Sequence, residues 1–260
     1  MNEPDQTMPR AATAHAGAFP ATRFSVVQAT GSDDPAIRRD AWDALIRSYW
    51  KPVYKYIRIK WQTAAEDAQD LTQEFFTRAM DTGFFHRFDP ARARFRTYLR
   101  VCLNGFVSNE RKAAGRKKRG GDYRLLPLDF ENAEGELVHA DIPGDTDAEE
   151  FFRKESMRSL FGLAVATLRE RCDAAGRTTQ FALFERYDLA PPEQRERPTY
   201  QQLADELGLT VTQVTNQLAA IRRDFRRIVL DHLREISGTE AEFRLEAIEM
   251  LGVDPADVAL

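Results

Sequence analysis

Every apolar run in this chain that is long enough to show a period repeats at three and four residues, and none alternates. A helix advances 100° per residue, so side chains three and four apart share a face; a half-buried strand turns every second residue inward. Trp42, Leu45, Ile46, Tyr49, Val53 and Ile57 follow the helical rule after Asp34-Pro35, an N-cap with proline at the first helical position. Pro52 predicts a kink in that helix. Ala68, Leu71, Phe75 and Ala79 line the next, from about Ala64 to Met80, and Asp89-Pro90 leads into a third from about Arg92 to Lys118, closed by Gly120-Gly121. Further on, Phe151 to Cys172 is amphipathic, Phe181, Leu183, Phe184 and Tyr187 gather a second apolar cluster, and Thr239 to Leu260 reads as one small amphipathic helix. The expected fold is all-α.

The length fits two domains, and 43% hydrophobic with 30% charged residues suits a chain that can bury real cores. No apolar run approaches the roughly 20 residues a membrane span needs. The opening "MNEPDQTMPRAATAHAG" has no apolar core, so residues 1–18 read as a disordered tail and not as a signal peptide. Cys102 and Cys172 stand alone, and His15, His86, His139 and His232 are scattered, which offers neither a zinc spacing nor a disulfide framework. The expectations are a cytoplasmic location, no metal and no cofactor.

Charge is segregated beneath a net −4. Arg92 to Arg119 holds ten Lys or Arg against Glu110 alone, and Asp122 to Glu150 holds ten Asp or Glu against Arg124 alone. One block calls for an anionic partner and the next does not. The acidic block carries Pro127, Gly135, Pro143 and Gly144 with little helical period, so 122–150 reads as a linker. It joins a helical domain over 19–121 to a second over 151–236, with an extension at 237–260.

Within the second domain, Thr199 with Gln202 and Thr210 with Gln213 form two capping boxes eleven residues apart, separated by the turn Gly208-Leu209. A short helix, a glycine turn and a second capped helix predict a helix-turn-helix. Val214, Leu218, Ile221, Phe225 and Ile228 supply its buried stripe. The opposite face carries Thr212, Asn216, Ala219, Ala220, Arg223 and Arg227, with Gln213 in the first turn. Such a face suits a major groove: polar residues reach base edges, alanines permit close approach, and arginines grip phosphates. Asn216 matches adenine bidentately.

The first domain contains a face that the fold alone does not explain. Glu66, Asp70 and Glu74 follow at i, i+4 and i+8, where like charges repel by about 0.2–0.5 kcal/mol per pair. Thr63 with Glu66 reads as a capping box, and Glu66 and Asp67 suit a helix N-terminus, but Asp70 and Glu74 lie further in. The basic block "FRTYLRVCLNGFVSNERKAAGRKKRGG" mixes cations with aromatics: cations neutralise phosphates, and exposed rings stack on unpaired bases. Phe95 and Phe106 are expected in the core, while Tyr98, between Arg96 and Arg100, could serve either side.

"AEDAQDLTQEFF" followed by "FRTYLRVCLNGFVSNERK" resembles the second conserved region of extracytoplasmic-function (ECF) sigma factors, and "PTYQQLADELGLTVTQVTNQLAAIRRDFRR" resembles their fourth. "FPATRFSVV", Phe19 to Val27, is similar to the opening motif of one ECF-like subgroup. The resemblance implies a non-enzymatic subunit that binds core RNA polymerase and promoter DNA; whether an anti-sigma protein, a kinase or the chain's own tail controls it stays open. It implies that Asp67, Asp70 and Glu74 dock on basic polymerase surfaces. Arg96, Tyr98, Arg100, Asn104 and Asn109 would hold the melted −10 strand, with Tyr98 where the family usually has Trp. Arg111, Lys112, Arg116 and Lys117 would hold the adjoining duplex. Thr212, Gln213, Asn216, Arg223 and Arg227 would read the −35 element. Thr215, Asn216 and Gln217 depart from the basic residue or histidine that relatives often carry there. The acidic linker would thread polymerase channels, and in the free chain its acids, Glu134 and Glu136 among them, would fold back on Arg111 to Arg119.

Two rival readings stay open on the residues alone. A helical magnesium-dependent nucleotide pyrophosphohydrolase would use Glu66, Asp70 and Glu74 with Asp40 and Asp43. An ordinary helix-turn-helix regulator would account for the second domain and leave the acidic helix unexplained.

Overall fold

A computed structural model describes residues 26–114, 126–138, 147–190 and 197–257, and every regular element in them is helical. In chain order these are α1 (Val26–Ala29), α2 (Pro35–Lys60), α3 (Ala65–Thr82), α4 (Phe95–Ala114), α5 (Phe130–Val138), α6 (Ala148–Ala174), α7 (Thr178–Asp188), α8 (Tyr200–Leu207), α9 (Val211–Ile236) and α10 (Glu240–Leu251). The protein is all-α, as its periodicity predicts. The tail, most of "FPATRFSVV", Arg116, Lys117 and the Gly120-Gly121 stop lie outside the described residues.

Asp34 caps α2 by accepting from the amides of Ala36 and Ile37, and Pro35 occupies the first turn. The helix then runs on through Pro52. A proline has no N–H for the carbonyl four residues back, here that of Ser48. Ser159 of α6 donates its hydroxyl to that carbonyl at 3.0 Å. The disturbance expected at Pro52 is thus met by a tertiary contact.

Around α2 lies the first core, in which Leu45, Val53, Ile57, Phe75, Phe85, Phe95, Leu99 and Leu103 are buried. The second core joins α6, α7, α9 and α10 through Leu160, Leu168, Phe184, Ile228, Leu233 and Phe243. A small third cluster, Leu183, Leu203, Ala204, Val214 and Leu218, seats α8 and the start of α9 on α7.

α6 belongs to two cores. Its first turns give Phe151 and Phe152 to the first, and its later turns give Leu160, Ala164, Leu168 and Cys172 to the second. Phe152 meets the Tyr56 ring edge-on at 5.2 Å. Next to it, Lys55 of α2 pairs with Glu155 of α6 at 2.7 Å, both almost fully buried. A pair so placed adds little net stability, and each charge keeps a second partner, Glu136 for Lys55 and Arg158 for Glu155.

The acidic segment is more ordered than its composition predicts. Residues 130–138 form α5, begun by Asp129, whose carboxylate accepts from the Asn132 amide at 3.1 Å. Phe130 packs edge-on against Trp50 and tilted on Tyr54, while Ala133 and Leu137 are buried on the same side. The local signals of Asp129 and this apolar stripe are overridden, in a reading by composition, by one glycine and the four acids from Asp129 to Glu136. Glu134 and Glu136 do not turn towards Arg111. Glu134 pairs with Arg58 and accepts from Tyr54, and Glu136 pairs with Lys51 and Lys55 at 2.7 Å each.

Candidate nucleic-acid and polymerase interfaces

The capping box expected from Thr63 and Glu66 does not form. α3 starts one residue later with Ala64 as an uncapped N-cap, and the Thr63 hydroxyl is buried without a hydrogen-bond partner among the described residues. The Thr63 carbonyl is taken by Arg58, so tertiary contact sets this corner in place of a local cap. Glu66 and Asp67 nevertheless lie in the first turn, where the helix dipole favours them.

Asp67 and Asp70 are exposed, and neither has an ion-pair partner among the described residues. Glu74 differs. It is half-buried and paired with Arg78 at 2.6 Å; Arg78 also meets Glu110 of α4 at 2.9 Å and lies over the Phe106 ring. Of the three acids assigned to polymerase, two present free charge and the third is paired within α3 to Arg78, which reaches across to α4. Nor do Glu66, Asp70 and Glu74 assemble with Asp40 and Asp43: among the described residues, no three His, Cys, Asp or Glu group as metal ligands.

α4 buries Phe95, Leu99, Leu103, Phe106 and Val107 and shows an outer stripe of Val101, Gly105, Asn109 and Lys112. The residues assigned to the −10 strand divide across this surface. Asn109 and Lys112 are exposed. Arg111 is exposed too, though its guanidinium donates to the Trp61 carbonyl and lies over the Trp61 ring. Asn104 is half-buried and accepts from the Tyr56 hydroxyl at 3.1 Å. Arg100 pairs with Glu149 at 2.7 Å.

Arg96 is held inside and Tyr98 is half-buried. The Tyr98 hydroxyl donates to the Phe84 carbonyl at 2.8 Å, its ring leans on Phe88, and burial pushes the hydroxyl pKa up to about 12. It packs as part of the aromatic cluster, with its hydroxyl committed to the backbone. Arg96 is 9% exposed and pairs with Glu246 at 3.2 Å and Glu249 at 3.5 Å, both on α10. Periodicity places Arg96 one residue from Phe95 and so off the core; the cover comes from a helix about 150 residues later. The three glutamates of α10 that face α4, Glu242, Glu246 and Glu249, are the site-facing residues that sequence reasoning did not single out. Their i, i+4, i+7 spacing was the available signal, since it puts them in one stripe.

The helix-turn-helix forms as the caps predict. In both boxes the threonine hydroxyl accepts from the N3 amide and the glutamine side chain returns to the threonine amide. Gly208 joins the helices at φ +65°, where a side chain would be strained. Val214, Leu218, Ile221 and Ile228 are buried and Phe225 is half-buried. Thr212, Asn216 and Arg223 are exposed on the opposite face without side-chain partners among the described residues, while Gln213 commits its side-chain carbonyl to the cap. Arg227 is exposed and approaches Asp224 at 3.4 Å. The brace that fixes this helix is Arg222, which grips Asp188 of α7 with two bonds of 2.9 Å and covers the Tyr187 ring. Asp188 raises the already high pKa of Arg222, so the brace stays charged.

Residues 45–117, from the middle of α2 through α3 and α4, match the family model for Sigma-70 region 2. No curated protein and no solved structure matches the chain. No described helix is long and apolar enough to cross a membrane.

Proposed function

From a chain that carries Sigma-70 region 2, and so belongs to the sigma-70 superfamily, we infer an ECF-type transcription initiation factor that brings core RNA polymerase to promoters. One observation carries this reading. The region 2 match and a doubly capped helix-turn-helix with an exposed polar face occur in the same chain. A helix-turn-helix regulator accounts for the second feature and not the first.

Asp67 and Asp70 supply the anionic contact to polymerase, their repulsion in the free chain being relieved by cations of the partner. Asn109, Lys112 and Arg111 form the ready part of the −10 surface. Arg116 and Lys117 extend it along the duplex. Arg100 and Arg96 join only once their glutamate partners release them, and Tyr98 supports the surface from beneath. On α9, Thr212 and Asn216 face base edges of the −35 element, with Gln213 donating through its amide nitrogen. Arg223 and Arg227 hold phosphates.

The test is transcription in vitro with bacterial core polymerase and the purified chain over a pool of genomic promoters. Start sites that depend on both proteins and share −35 and −10 elements are expected. DNA binding without any polymerase-dependent start site would reject the reading in favour of a plain regulator.

A further inference from the structure

α10 faces two ways. Phe243 and Ala247 are buried in the second core, with Arg234 over the Phe243 ring. On another side, Glu242, Glu246 and Glu249 point at the start of α4. Glu242 accepts from the Phe95 amide at 2.7 Å, the first amide of that helix. Its second oxygen accepts from the Gly238 amide at 2.7 Å. Glu246 pairs with Arg94 and Arg96 at 3.2 Å each, and Glu249 pairs with both, as well as with Arg153 at 3.7 Å.

A helix-start amide flanked by two guanidinium groups is the arrangement that receives phosphate oxygens. Here three carboxylates fill it. The fit is incomplete: Nη1 of Arg96 and Oε2 of Glu246 are both buried with no hydrogen-bond partner among the described residues. Buried charges with unmet bonds hold their contact below its full strength. Replacing carboxylates by phosphates would exchange one set of charge-assisted bonds for another. The apolar seat of α10 on the second core would be kept.

Resting on the sigma-factor reading above, we propose that α10 stands in for a nucleic-acid backbone: Glu242, Glu246 and Glu249 occupy a phosphate site made by the Phe95 amide, Arg94 and Arg96, and this site takes single-strand phosphates when α10 lifts away. The parting surface is polar. Its hinge is the short joint Ser237-Gly238-Thr239 between α9 and α10. Gly238 sits so close to the first core that an added Cβ would meet Phe88 at 2.7 Å and Pro90 at 3.0 Å. The free chain therefore keeps its strand-binding surface closed, and α10, which lies beyond the region 2 match, is the part that closes it.

Two variants of the full chain open the contact by different means. Glu246→Gln with Glu249→Gln removes charge, and Gly238→Ala forces the joint sterically. The probe is a fluorescent single-stranded DNA of mixed sequence, with binding read by anisotropy at several salt concentrations. Hydrogen exchange reports opening at the start of α4 and along α10, and circular dichroism reports the fold. Both variants should exchange faster there and bind about tenfold tighter at low salt, with a log–log salt slope steeper by about 1.4 for two released arginines at ~0.7 each. Adding Arg94→Ala and Arg96→Ala should remove the gain. Faster exchange with unchanged affinity overturns the proposal, as does a gain that survives loss of both arginines. Unchanged exchange in both variants overturns it too, because neither the glutamates nor the close approach would then be holding α10. Polymerase-dependent initiation by the wild-type chain is scored separately. If that succeeds while the affinities do not move, the proposal alone fails; if it fails, the functional reading falls and the proposal with it.

Discussion

Asp70 and Glu74 are one turn apart on α3 and stand in different electrostatic situations. Asp70 is solvated and unpaired among the described residues, whereas Glu74 shares Arg78 with Glu110. Asp70→Lys should abolish co-purification with core polymerase and change stability by no more than about 0.5 kcal/mol in urea denaturation. Glu74→Lys should cost about 1 kcal/mol, because it breaks a partly screened pair and sets a second cation beside Arg78. Equal stability of the two variants would show that the Arg78 network contributes nothing. On α9 the division is between base and backbone. Asn216→Ala should change which −35 sequences a randomised library returns, at about 1–3 kcal/mol of discrimination. Arg223→Ala should weaken all sequences alike and flatten the log–log salt slope by about 0.9. An unchanged library preference for Asn216→Ala would mean that this face of α9 does not read bases.

α5 is an element held by charge from the side. Hydrogen bonding from Arg58 holds the Glu134 carboxyl below its ordinary range. Desolvation works against Glu136, yet the bonds from Lys51 and Lys55 carry it lower as well. Both groups thus bind protons less readily folded than unfolded. The stability they add is complete above the ordinary glutamate pKa of about 4.3 and is lost as pH falls through the lower folded values. Phe130 rests on Trp50, so tryptophan fluorescence should report α5 leaving α2 as pH falls below about 4.3. Glu134→Gln with Glu136→Gln should show that change already at neutral pH; an unaltered acid transition in this variant would place the pH dependence elsewhere. The two helices of the helix-turn-helix were legible because each cap lies within one turn of the residues it serves. α5 was not, because a nine-residue helix with a central glycine has little stability of its own and forms against Trp50, Tyr54 and Arg58.

At the scale of the whole molecule, α6 decides how the chain unfolds. Trp42, Trp50 and Trp61 all lie in or against the first core, so their fluorescence reports that core, while circular dichroism reports every helix. Because α6 is packed into both cores and Lys55–Glu155 is buried at the crossing, the two signals should lose structure at one denaturant midpoint. Separate midpoints would mean that the two helical bodies fold independently. From sequence alone came the helical class, the placement of α2, α3, α4 and α9, both capping boxes and the exposed face with Asn216. All of these follow from relations among residues within a few turns, where period and caps act. The tertiary structure alone decided that Arg96 is covered, that Tyr98 packs into the aromatic cluster, that Arg78 reaches across to Glu110 of α4, and that α10 closes on α4. Arg94 and Glu246 are 152 residues apart, and Lys55 and Glu155 are 100 apart. No period or cap spans such distances, so the charge that each residue still offers to a partner is set only when the helices pack.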